Sequence, residues 1–113
     1  MNNIAILTCR TAADVCTGAS CMQAFNEKTG YFAEYDESAR LVAFMQCNGC
    51  DSDPPSEDKG MTDKINRLER IQTTCVHIGV CSKTRSGDEC ETITEIANLI
   101  AARGIAIHRG THA

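Results

Sequence analysis

Apolar and polar positions along the chain resolve into four short apolar runs with helix-like stretches between them. The runs are Ile4-Ala5-Ile6-Leu7, Leu41-Val42-Ala43-Phe44-Met45, Val76-His77-Ile78-Gly79-Val80 and Ile105-Ala106-Ile107. The first two are continuous rather than alternating, which is the pattern of strands buried on both faces of a parallel sheet. Ser20-Cys21-Met22-Gln23 has the form of a capping box, with Ser20 as cap, Gln23 reaching back and Gly30 ending the helix. A second helix is predicted from Thr62 to Gln72, with Ile65, Leu68 and Ile71 on one face. A third follows Asp88 as cap, with Ile93, Ile96, Ala97 and Ile100 at helical spacing and Gly104 placed for a left-handed cap.

The order β-α-β-α-β-α-β predicts an α/β fold. Right-handed crossovers make it a small three-layer domain with a four-stranded parallel sheet. By analogy with flavodoxin-like folds the expected strand order is 2-1-3-4. The acidic stretch from Asp51 to Gly60, with Pro54-Pro55 inside it, reads as a surface loop.

Composition adds three constraints. With 113 residues there is material for one domain and a modest core. The aromatics are Phe25, Tyr31, Phe32, Tyr35 and Phe44, so the core must come mainly from aliphatic residues and Met. The net charge is −4, with no basic stripe to neutralise phosphates, so a nucleic-acid partner is not expected. The N-terminal segment lacks a positive n-region, and no stretch approaches the roughly 20 apolar residues of a membrane span. The expectation is a cytoplasmic protein with no membrane partner.

Cysteine changes the picture most. Cys9, Cys16, Cys21, Cys47, Cys50, Cys75, Cys81 and Cys90 are 8 of the 113 residues. In a reducing compartment that count points to metal binding or thiol redox chemistry rather than to disulfides. On the predicted scheme Cys9 follows strand 1, Cys47 and Cys50 follow strand 2, Cys81 follows strand 3, and His112 follows strand 4. The carboxyl ends of such strands are where open α/β sheets bind ligands. Cys9, Cys47, Cys50, Cys81 and His112 are therefore the expected metal ligands. Cys21 and Cys90 lie at predicted helix starts, where the partial positive charge favours thiolate. With Cys16 they are expected to hold a cofactor or a second metal.

Other candidates read mainly as structural. Cys75 opens strand 3 as a small hydrophobe and His77 sits within the strand, while His108, next to strand 4, reads either as structural or as a ligand. Met22, Met45 and Met61 read as core filler. A low-molecular-weight phosphatase would need Arg six positions after Cys9, where Val15 stands. Neither a glycine-rich phosphate loop nor a Ser-His-Asp set is apparent.

The ordered series Ile6-Leu7-Thr8-Cys9-Arg10, Asp14-Val15-Cys16-Thr17-Gly18-Ala19-Ser20-Cys21, Gly30-Tyr31-Phe32 with Tyr35, and Phe44-Met45-Gln46-Cys47-Asn48-Gly49-Cys50 resembles the CGGC-domain proteins. Val80-Cys81, Cys90 and Gly110-Thr111-His112 complete the likeness, which spans nearly the whole chain. The naming motif Cys-Gly-Gly-Cys reads Cys47-Asn48-Gly49-Cys50 here. The resemblance implies that residues 1–113 form a single metal-binding domain. It does not imply a reaction.

The functional expectation is a cysteine-rich metal-binding protein. A zinc ion is preferred over an iron–sulfur cluster because mixed Cys/His sets are common at zinc. The rival expectation is a thiol-disulfide oxidoreductase or electron carrier. It would use the Cys47/Cys50 pair with a small-molecule or protein redox partner.

Overall fold

The computed structural model describes residues 2–50, 53–84 and 86–112. Four strands, β1 (Asn3–Thr8), β2 (Arg40–Gln46), β3 (Cys75–Ile78) and β4 (Ala106–Arg109), form one sheet. Every pairing is parallel and the order is β2-β1-β3-β4, as the sequence predicts. Helices α1 (Arg10–Ala13) and α2 (Ala19–Glu27) lie between β1 and β2, α3 (Lys59–Arg70) between β2 and β3, and α4 (Glu91–Ala101) between β3 and β4.

Each face of the sheet carries its own core. Alternation sends Ala5, Leu7, Val76 and Ile78 to one side, where Met61, Ile65 and Leu68 of α3 and Ile93, Ile96 and Ile100 of α4 cover them. Ile4, Ile6 and Cys75 point the other way, against Cys21, Ala24 and Phe25 of α2 and against Phe32. Phe25 and Phe32 meet edge to face at 5.4 Å. β1 is thus buried on both faces, as expected of its continuous apolar run. β2 is not: Leu41, Val42, Ala43 and Met45 are only partly buried and Phe44 is exposed. It pairs on one side only, at the end of the sheet.

Three helix starts differ from the sequence prediction, each for a local reason. The Thr17 hydroxyl accepts the Ala19 N–H and the Cys16 sulfur accepts the Gly18 N–H. The chain turns before Ser20, Gly18 takes the cap position at φ 77°, and Ser20 falls inside α2. α2 also ends at Glu27, on a left-handed Lys28, before reaching Gly30. α3 starts at Lys59, because Asp58 accepts from the Met61 N–H at 3.2 Å and caps the helix there. The expected loop is shortened accordingly, and Asp51 and Ser52 lie outside the described residues. At α4 the cap position belongs to Cys90, while Asp88 instead accepts from the Ser86 hydroxyl.

Candidate metal centre

Cys75 and His77 are two residues apart on β3, so both project to the α2 side of the sheet. In the parallel register His77 lies opposite His108 of β4. The two imidazoles stack at 5.2 Å, 18° from parallel. One ligand atom from each of Cys75, His77 and His108 lies within 4.8 Å of the other two. Among the described residues this is the one group of three Cys, His, Asp or Glu side chains drawn that close.

Burial sets the chemistry of the triad. Cys75 and His77 are buried and His108 is exposed. His77 Nδ1 lies 2.8 Å from the Gly110 carbonyl, which can only accept, so Nδ1 carries the proton. The lone pair is then on Nε2, which accepts from the Tyr35 hydroxyl at 2.7 Å. Burial, with the nearby His108, lowers the His77 pKa against the opposing effect of the Gly110 bond. Burial raises the Cys75 thiol above its ordinary range. The Tyr35 hydroxyl also reaches the Cys75 sulfur, at 3.7 Å. A cavity of about 300 Å³, lined by Glu34, His77, His108 and Arg109 among others, lies on the histidine side of this cluster.

The residues expected as ligands from the sequence lie in several places. Cys16, Cys21, Cys81 and His112 line one cavity of about 330 Å³, with Phe44, Val80 and Met22 as apolar wall. His112 is placed there by a clamped segment. The Gly110 N–H donates to the Ile78 carbonyl, the Tyr31 N–H to the Thr111 carbonyl, and the Thr111 hydroxyl meets the Cys21 sulfur at 3.1 Å. Cys9 stands at the cap position of α1. Cys47 is 2 % exposed, lies in the α3/α4 core, and its sulfur accepts the Arg10 N–H at 3.3 Å. All eight cysteines are free thiols.

The profile of the CGGC domain matches residues 3–112. The chain belongs to the CGGC-domain family. It is 40 % identical over 117 residues to a Methanocaldococcus jannaschii relative named "Uncharacterized protein MJ0582", spanning 96 % of this chain and 85 % of the relative. Solved structures yield no match.

In this CGGC domain the naming motif is a turn with Cys47 buried and Cys50 exposed. Gly49, at φ 103°, is the motif residue with positive φ. Position 48 therefore tolerates a side chain, and Asn48 uses it. Its amide donates to Asp58 at 3.0 Å and accepts from Lys64 at 2.8 Å, which fastens the turn to the start of α3. Cys50 projects out and meets Cys90, sulfur to sulfur, at 3.8 Å. Cys50 is pushed up, first by its hydrogen bond to Cys90. Burial pushes Cys90 up too, but the N–H groups of Ile93 and Thr92 in the first turn of α4, together with Cys50, outweigh it and leave Cys90 below its ordinary value.

Cys75, His77 and His108 are not among the metal ligands expected from the sequence. A signal existed: Cys-x-His has the strand period of two, and His108 stands at the matching offset on the next strand. No helix among the described residues is long and apolar enough to cross a membrane.

Proposed function

We propose that this protein binds a transition-metal ion, zinc by preference, through Cys75, His77 and His108. The observation carrying the reading is that these three ligand atoms lie within 4.8 Å of one another. One sulfur and two imidazole nitrogens form a mixed borderline set that suits zinc. The bond from His77 Nδ1 to the Gly110 carbonyl is the outer contact that fixes a ligating imidazole with its other nitrogen free of a proton. An iron–sulfur cluster fits this group poorly, since it wants four protein ligands, mostly thiolates. Binding would expel the Cys75 proton and turn the Tyr35 hydroxyl away from Nε2, leaving a fourth position for water, a substrate or Tyr35 itself. His108 gives the ion an entry side.

Elemental analysis of anaerobically purified protein tests this. The expected result is one zinc per chain, lost in His108→Ala, a substitution at an exposed position that leaves the fold intact. Full metal content in His108→Ala and Cys75→Ala, or a folded metal-free protein that does not take up added zinc, overturns it.

A second reading rests on the convergence of Cys16, Cys21, Cys81 and His112 on one cavity. Three thiols and an imidazole suit zinc, and the thiols an iron–sulfur cluster. Cys81→Ser and His112→Ala would then remove the metal while His108→Ala keeps it, and visible absorbance that bleaches on reduction would identify a cluster.

A further inference from the structure

Cys50 and Cys90 stand apart from both ligand sets just considered. The sequence places them 40 positions apart, one in the turn after β2 and the other at the start of α4, and the fold brings their sulfurs to 3.8 Å. A disulfide needs about 2.05 Å between sulfurs, a closure of under 2 Å. Side-chain rotation at Cys50 can supply it, because that residue is exposed. Both thiols line a surface cavity of about 480 Å³, together with Thr84, Ser86 and Thr92, so a small reactant has access to them. Cys47, the other thiol of the motif, is in a different position. It is buried in the apolar core with its sulfur bonded to the Arg10 N–H. The spacing Cys-x-x-Cys does not by itself point to this partner for Cys50.

From this arrangement we infer that Cys50 and Cys90 form a reversible disulfide by exchange with a low-molecular-weight disulfide. The roles follow from the surroundings. Cys90 is the cap residue of an 11-residue helix, whose N-terminus stabilises thiolate, so Cys90 attacks. Its sulfur bonds to one sulfur of the small disulfide, whose S–S bond breaks and releases a first thiolate. The Cys50 proton passes to that thiolate. The Cys50 sulfur then attacks the Cys90 sulfur, breaks the mixed disulfide and releases the second thiolate, which takes a proton from solvent. In sum one protein dithiol and one small disulfide become one protein disulfide and two small thiols. Two electrons leave the protein, and excess small thiol reverses the step.

The test uses the full chain, equilibrated in glutathione/glutathione-disulfide mixtures, alkylated and mapped by peptide fragmentation. The expected product joins Cys50 to Cys90, its fraction rising with the proportion of glutathione disulfide and falling again when reduced glutathione is restored. Cys50→Ser should stop at a glutathione adduct on Cys90, and Cys90→Ser should slow reaction at Cys50 at least tenfold. Cys50 and Cys90 are not ligands in either metal reading, so both variants should keep the metal content of the parent. A Cys47–Cys50 disulfide, modification of other thiols with Cys50 and Cys90 left free, or a metal ion held by Cys50 and Cys90 that blocks the exchange would each overturn the inference.

Discussion

The imidazole of His77 donates to the carbonyl of Gly110 across 2.8 Å, tying the middle of β3 to the segment beyond β4. That one bond fixes the tautomer of a candidate ligand and anchors the segment that carries His112. His77→Ala removes the ring from a buried site and leaves the Gly110 carbonyl without it. The expected loss is about 3 kcal/mol, combining a cavity with an unmet acceptor. Urea unfolding of the metal-free protein measures it, and a midpoint unchanged from the parent would contradict the anchoring role. His108→Ala, at an exposed position, should stay within about 0.5 kcal/mol in the same assay.

Gly110 itself holds φ 123°, and a Cβ there would lie 2.6 Å from the ring of Tyr31. Gly110→Ala should cost about 1–3 kcal/mol from backbone strain, with the clash in addition. Because Tyr31 is half exposed, removing its ring should relieve the clash and not the strain. The double variant Gly110→Ala/Tyr31→Ala is therefore expected to recover only part of the loss relative to Tyr31→Ala alone. Full recovery in thermal unfolding would show that φ carries no cost.

Asn48→Gly restores the family's naming motif and deletes the side-chain bonds to Asp58 and Lys64. Since Gly49 supplies the positive φ of the turn, the extra glycine brings no relief. Stability is expected to fall by about 1–2 kcal/mol through the lost bonds and the added freedom of the unfolded chain. A chemical denaturation midpoint equal to or above the parent's would rule out this role for Asn48.

Glu89 accepts two bonds from Arg109, at 2.8 and 3.2 Å, and one from the Thr94 hydroxyl at 2.6 Å. The Arg109 bond is the main cause holding its carboxyl below the ordinary value of 4.5. A carboxyl lowered in the folded state binds fewer protons there than in the unfolded chain. The stability it contributes is whole above the unfolded value and is lost as pH falls through the lowered folded one. Stability measured from pH 7 to pH 3 should therefore decline less steeply in Glu89→Gln. At pH 7 that substitution should cost only about 1 kcal/mol, because Arg109 is largely exposed and solvent screens the pair. An identical acid slope in both proteins would remove Glu89 from the account.

Much of the fold was legible because its signals are local. The continuous apolar run of β1, the 3.6-residue spacing in α4 and the right-handed rule for crossovers need only neighbouring residues and lead to a parallel sheet, while its order β2-β1-β3-β4 was expected by analogy with flavodoxin-like folds. Helix starts were less legible. Ser20 has the right residues for a cap, but Cys16 and Thr17 close the turn first, and Asp58 captures α3 ahead of Thr62. Several side chains can compete for the same free N–H groups, and the path of the loop chooses among them.

For the candidate site, chain order alone put Cys9, Cys47, Cys50, Cys81 and His112 directly after their strands. Only the tertiary structure decided which groups meet. Strand register sets His77 opposite His108 and leaves Cys75 on the same face, while the packing of α4 against the sheet pairs Cys50 with Cys90 and buries Cys47. The physical reason is one of scale. Secondary structure follows from patterns repeated over many residues, whereas a bond or a coordination sphere needs agreement within about 1 Å between groups far apart in the chain, and that agreement comes from packing.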